Sequence, residues 1–313
     1  MKRYLCKCVV MAAAVLLPFV LWFGYVLYLP DYTQNNIAAT IRYKTDLIRQ
    51  TEGERIILVG GSSSPYGTNC AMAAEQLDRN VINVGATAYL GLDFYLNYIE
   101  TYARTGDVVV LAPEFVLMTS EGVDYSLMWV GAATDLEVWR AIPTGYYAGM
   151  FSSIMDYYKI KMVTKGENTA RPDPTGHNSD FGPLGDVTAY RELILEKGYN
   201  AQDLYRITPE AVWDNKVESI NKTAARLKSK GITLLYAFPP VDELAIISTP
   251  QQVQAYERKI TDGLQIPVIL PMSLSIMEGK YFYDSNNHLN TAGAEIYTQH
   301  LIDGIRTVVG RAE

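Results

Sequence analysis

The chain opens on three basic residues, Lys2, Arg3 and Lys7, and then runs uncharged for 21 residues from Val9 to Leu29. At about 1.5 Å per residue such a helix spans roughly 30 Å, the thickness of a bilayer core. No polar face interrupts the run, as one would in a core helix of a globular domain. Trp22, Tyr25 and Tyr28 lie at its far end, where aromatic rings settle at a membrane interface. No small-residue cleavage pattern precedes Pro30. The pattern predicts a cytoplasmic tip and transmembrane anchor over residues 1–30, with residues 31–313 outside the cytoplasm. The polar stretch 31–54 reads as a stalk or a leading helix, Asn35 to Gln50.

From residue 55 the pattern changes. Short apolar runs rich in β-branched residues occur at Arg55–Val59, Val81–Val84, Asp107–Leu111, Ile232–Ala237 and, more weakly, Pro267–Leu270. Continuous apolar runs of this length fit strands buried on both faces of a parallel sheet. Helical patterns lie between or beside them, at Asn69–Leu77, Leu90–Ala103, Val212–Lys230 and Pro250–Gly263. A last helix, Thr291–Val309, places Ala294, Tyr297, Leu301, Ile305 and Val308 on one face. This alternation predicts an α/β fold over residues 55–313: a three-layer α/β/α sandwich around a parallel sheet of about five strands. Residues 115–212 break the rhythm and read as an insertion. It holds Trp129, Trp139, Tyr146, Tyr147, Tyr157 and Tyr158 and a polar loop from Lys165 to Asp186. Those aromatics fit either core packing or a platform for sugar faces.

Composition sharpens this. The mean hydropathy is near zero, but it divides into an apolar anchor and an acidic remainder. Beyond residue 30 the chain carries 24 Lys and Arg against 34 Asp and Glu. A surface that neutralises phosphates is therefore not expected, and nucleic acid is excluded as a partner. Cys6 and Cys8 fall on the inner side and Cys70 stands alone outside, so no disulfide is expected there. Three histidines, His177, His288 and His300, are too few for a histidine-rich metal site. Neither a metal nor a cofactor is expected.

Two segments carry candidate chemistry. Gly60-Gly61-Ser62-Ser63-Ser64-Pro65-Tyr66-Gly67 follows the first strand, and Asp284-Ser285-Asn286-Asn287-His288-Leu289-Asn290 precedes the last helix. In a doubly wound sheet, ligands bind at the carboxyl ends of the strands. A serine exposed there needs a base, which His288 can supply, and an upstream aspartate can orient the imidazole. A phosphate-binding loop is the competing reading of the glycines. It lacks support, because Thr68-Asn69 follows Gly67 where Lys-Ser or Lys-Thr is needed. Asn290 can cap the last helix, and His300 reads as a helix-face residue.

These residues together resemble the SGNH/GDSL hydrolase superfamily over about residues 55–309. They are closest to its membrane-anchored bacterial branch of cell-envelope acylation and deacylation proteins, which includes the D-alanine-transfer and alginate-acetylation proteins. The resemblance implies a flavodoxin-like SGNH fold and an acyl-enzyme mechanism. Gly61 to Gly67 matches the first family block with Ser63 as nucleophile and Ser62 as the alternative. Asp284 and His288 complete the triad, with one residue more between them than the family's D-x-x-H. The oxyanion hole would take the N–H groups of Ser63 and Gly85. The third block, G-x-N-D, is absent. Ala112-Pro113-Glu114-Phe115 stands in its place, leaving Glu114, Asn83 and Asn178 as candidate substrate-binding residues, with Asn69 a further candidate donor. The implied function is an extracytoplasmic serine esterase or O-acyltransferase acting on an acylated glycan or envelope polymer. The alternative is a binding or scaffold protein that has kept the fold, lost catalysis and assists a membrane-bound acyltransferase.

Overall fold

The computed structural model describes residues 2–29, 36–120, 122–133, 135–167, 180–189, 191–192, 194 and 198–310. Helix α1 (Lys2–Tyr28) is followed by α2 (Thr40–Gln50). Strand β1 (Arg55–Val59), a short α3 (Ser63–Gly67), α4 (Cys70–Leu77) and β2 (Asn80–Asn83) form the first crossover. Helix α5 (Leu92–Tyr102) leads to β3 (Val108–Leu111). The insertion then contributes α6 (Phe115–Thr119), α7 (Tyr125–Ala132), α8 (Leu136–Arg140), α9 (Tyr147–Ser152) and α10 (Ile154–Glu167). The sandwich resumes with α11 (Asp214–Ser229), β4 (Thr233–Ala237), β5 (Val241–Asp242) and α12 (Pro250–Gly263). It ends with β6 (Val268–Leu270), α13 (Met272–Ser275), β7 (Ile276–Met277) and α14 (Thr291–Val309).

Local chemistry explains the helix starts. Asn69 caps α4 by accepting from Met72 N–H, and Asn290 caps α14 by accepting from Gly293 N–H. Thr249 and Gln252 form a capping box at α12, with Pro250 at its first position.

The central sheet has five strands in the order β2-β1-β3-β4-β6, and every pairing is parallel. Alternate strand residues feed two cores. Ile57, Ile82, Val109 and Leu234 face α5 and α11, while Ile56, Val81, Val108 and Leu235 face α4 and α14. Both faces are thus covered, which is why the strands lack polar alternation. From β1 the chain moves to β2 on one side and then to β3 on the other. Crevices form where the strand order reverses, here between the ends of β1 and β3.

Of the two readings of the stretch before β1, the structure has the leading helix, with α2 burying Ile41, Lys44, Thr45 and Ile48 against the domain. One segment was not expected. The small β5–β7 pair lies outside the main sheet. Helix α1 is long and apolar enough to cross a membrane and is exposed over most of its length. Its C-terminal end docks on the insertion. Val26 is buried there, and the Lys161 ammonium donates to the carbonyls of Val26 and Leu29 at 3.0 Å each. A cation at a helix C-terminus satisfies both the unpaired carbonyls and the helix dipole.

Candidate active site

The strand-order reversal brings the Gly60–Ser64 turn, Glu114 and the loop before α14 to one edge. Ser62 occupies the N-cap position of α3, yet its hydroxyl makes no capping bond. It lies 2.8 Å from Nε2 of His288 instead. Nδ1 of His288 lies 2.8 Å from Oδ1 of Asp284. The loop tolerates the extra residue between them because it closes on itself. Phe282 and Leu289 form an antiparallel bridge, and Tyr283 N–H donates to the His288 carbonyl at 2.8 Å. Both side chains of the pair then point to the serine.

The histidine pairs with Ser62, not with Ser63, and the expected order of the two serines is corrected. Ser63 is the first residue of α3 and turns into the protein, where it is fully buried. Its N–H is also engaged, donating to Glu114 Oε1 at 2.8 Å, while Gly61 N–H donates to Glu114 Oε2 at 2.8 Å. Glu114 is therefore an internal strut for the serine turn, with both carboxylate oxygens occupied by backbone donors. Burial raises its pKa, and the N–H donors of Ser63 and Gly61 oppose the rise. A Cβ at position 61 would stand 2.2 Å from Glu114 Oε2, so any larger residue there would push the carboxylate off its two N–H donors.

The second expected oxyanion donor is engaged as well. Gly85 N–H donates to Asn83 Oδ1 at 2.9 Å. The Asn83 amide meanwhile donates to Ser64 Oγ at 3.0 Å and Thr68 Oγ1 at 2.9 Å. Asn83 is buried and fully used, so it too serves the scaffold. Within the turn, the N–H groups of Ser62 and Gly60 have no acceptor among the described residues, and that of Ser62 belongs to the residue facing His288. Asn69 is occupied as a helix cap. Asn178 and His177 lie outside the described residues. His300 sits half-buried on α14 near the Leu274 carbonyl and shares no contact with His288, Asp284 or Ser62.

Residues the sequence reading passed over complete the site. The Tyr66 ring stacks on His288 with centroids 4.1 Å apart and planes inclined by 11°. It stands four residues after Ser62, one helical turn on, so α3 carries both the hydroxyl and the platform. A ring stacked on the imidazole restrains its rotation and keeps Nε2 turned to Ser62. Arg191 is buried and donates to the carbonyls of Thr68, Val187 and Tyr66, pinning the segment after α3. Lys44 reaches the Gly85 carbonyl from α2. Its ammonium is fully buried over the Phe181 ring, and burial pulls its pKa down to about 7. Beside the site a narrow apolar pocket is lined by Phe115, Tyr205, Phe238, Pro240 and Tyr256, with Glu114 and Asn287 at its polar edge.

Most of the insertion's aromatics are packing residues. Trp129, Tyr146 and Tyr157 are buried, Trp139 and Tyr158 pack against the same core, and Tyr147 is exposed. Among the described residues no group of three His, Cys, Asp or Glu side chains is arranged to hold a metal ion. Chemically, the site offers a hydroxyl, a base on it and a carboxylate on the base, which is the geometry of an activated nucleophile. Models of known protein families and curated proteins give no match to this chain.

Proposed function

We propose that the protein is a membrane-anchored, extracytoplasmic serine esterase or O-acyltransferase of the SGNH type, acting on acyl esters of an envelope glycan or polymer. One observation carries this reading: the continuous Ser62–His288–Asp284 chain, 2.8 Å at each link. In this mechanism His288 Nε2 takes the Ser62 proton as Oγ attacks the ester carbonyl. The carbonyl oxygen becomes an oxyanion facing the Ser62 N–H. Collapse breaks the ester C–O bond, and the leaving alkoxide receives the proton from His288. Water or a sugar hydroxyl then attacks the acyl-Ser62 ester, losing its proton to His288, and Ser62 is regenerated. Asp284 holds the Nδ1–H tautomer and supports the imidazolium throughout. Whether water or a hydroxyl acceptor completes the cycle depends on how fully water is excluded. The acidic ectodomain makes charge-driven capture of an anionic polymer unfavourable, so recognition would run through hydroxyl and aromatic contacts.

A second reading is a binding protein of the same fold that has lost catalysis and assists a membrane-bound acyltransferase. The observation that favours it is the engagement of the Ser63 and Gly85 N–H groups by Glu114 and Asn83. A fluorophosphonate probe on the full-length protein in detergent separates the two. The esterase reading expects covalent labelling of the wild type, loss in Ser62→Ala and retention in Ser63→Ala. No labelling of folded wild type would sink it and favour the binding protein.

A further inference from the structure

Between Arg140 and Asp156 the insertion carries no charge for fifteen residues, 141–155. This stretch contains α9 and the start of α10, and three of its large apolar side chains face outward. Tyr147 is 43% exposed, Phe151 59% and Met155 48%. A soluble monomer seldom leaves such a patch bare next to another apolar surface. Here the neighbouring surface is α1. Phe151 stacks on Phe19 and Phe23, with ring centroids 5.7 and 6.1 Å apart. Farther along, Tyr158 meets Trp22 at 6.1 Å, and Lys161 reaches the carbonyls of Val26 and Leu29. The contacts thus advance in the same direction along both segments: α9 meets α1 at Phe19 and Phe23, and α10 meets it at Trp22 and then at its C-terminal end.

The charges resume in an order that matches a membrane boundary. Asp156 and Lys159 form an exposed ion pair at 2.7 Å, starting at the residue after Met155 and flanking Tyr158, whose ring meets Trp22. From Trp22 back to Phe19 is about one helical turn, roughly 5 Å of rise. That is the depth to which an interfacial helix buries its apolar face, about 5–10 Å.

We propose that the α9–α10 corner is a second membrane contact, inserting Tyr147, Phe151 and Met155 into the acyl-chain boundary of the leaflet that receives the C-terminal end of α1. The occupant is lipid, because the exposed patch continues without a break onto the bare apolar sides of α1. This inference rests on the membrane-anchor reading above. Its consequence is orientation. The insertion leaves the sheet directly after Glu114, so two attachments fix the Ser62 edge relative to the bilayer, where a single helix would let the domain swing.

Site-directed spin labels on the full-length chain in phosphatidylcholine vesicles test this, in a Cys6→Ser, Cys8→Ser, Cys70→Ala background. Labels replace Leu16 on α1, Phe151, Met155 and, as an aqueous reference, the exposed Gln254 on α12. Labels at 151 and 155 are expected to match Leu16, with high oxygen and low Ni-EDDA collision rates, severalfold apart from Gln254. Aqueous behaviour at 151 and 155 with a lipid-like Leu16 would overturn the second contact and leave the anchor standing. An aqueous Leu16 would overturn the anchor itself, and the inference with it. Low collision with both reagents at 151 and 155 would mean a protein partner covers the corner, and would overturn lipid as the occupant.

Discussion

The choice between Ser62 and Ser63 was open in the sequence for a physical reason. Three consecutive serines satisfy any pattern of hydroxyls, and block spacing pointed to Ser63. What decides is the start of α3. A residue at the N-cap faces out of the turn, and the next one is carried inward by the helix. His288 and Asp284 were legible because a titratable pair beside a helix start is rare in a chain with only three histidines. Glu114 was visible as a departure but not as a strut, since its two acceptors are used by backbone groups about fifty residues away in sequence. Lys44 belongs to the same hidden scaffold. Its pKa falls from 10.5 to about 7 because burial disfavours the ammonium, while Cys70 and Asp186 nearby oppose the fall. Between about pH 7 and 10 the unfolded chain holds a proton there that the folded chain has released. Stability therefore rises with pH across that window, by about 1.4 kcal/mol per unit at most, and the full penalty applies below pH 7. Denaturant midpoints of the detergent-solubilised protein should climb from pH 7 to 9 in the wild type and stay nearly flat in Lys44→Met. Equal slopes would show that Lys44 is not the group responsible.

At the scale of elements, the five strands could be read because each is buried on both faces and stopped by Gly or Pro. The β5–β7 pair could not, since two residues carry no periodicity. Helix α7 was hidden for the opposite reason. It is apolar around most of its circumference, with Met128 to Ala132 buried, because α2 and α10 both pack on it. A helix without a polar face leaves no 3.6-residue signature. One pairing holds the edge of the sheet away from the serine. Arg55 at the start of β1 is fully buried and grips Asp107, just before β3, with Nε to Oδ1 at 3.0 Å. A buried ion pair adds little over apolar packing, but removing one partner strands the other. Asp107→Ala should cost about 3–5 kcal/mol in chemical denaturation. The surviving folded fraction should keep its fluorophosphonate labelling rate, because Ser62 lies at the other end of β1. A loss below 1 kcal/mol, or slowed labelling in folded protein, would contradict this division between a structural edge and a reactive edge.

For the whole molecule, the sequence suggested an anchor joined to a separate domain by a stalk or a leading helix. The structure joins them. Helix α1 ends on the insertion, through buried Val26, the partly buried Trp22, Phe23 and Leu27, and the Lys161 cap. This coupling was illegible because each half looks self-sufficient. An apolar run needs only lipid, and an aromatic-rich insertion needs only its own core. A chain lacking residues 1–29 therefore does not simply become a self-contained soluble domain. It bares Phe151, Tyr158 and part of Trp129, and leaves the Lys161 ammonium without two acceptors. Burying one large apolar side chain contributes about 1.5–3 kcal/mol, so one full and three partial burials amount to roughly 3–6 kcal/mol. The truncated chain should unfold at a clearly lower denaturant concentration than the full chain in the same detergent, and should self-associate once detergent is removed. Lys161→Met in the full chain should reproduce a smaller part of that loss, about 1–3 kcal/mol, as α1 loses its C-terminal cap. A truncated chain that is monodisperse without detergent, with an unchanged midpoint, would show that α1 contributes no stability to the domain and that its docking is incidental.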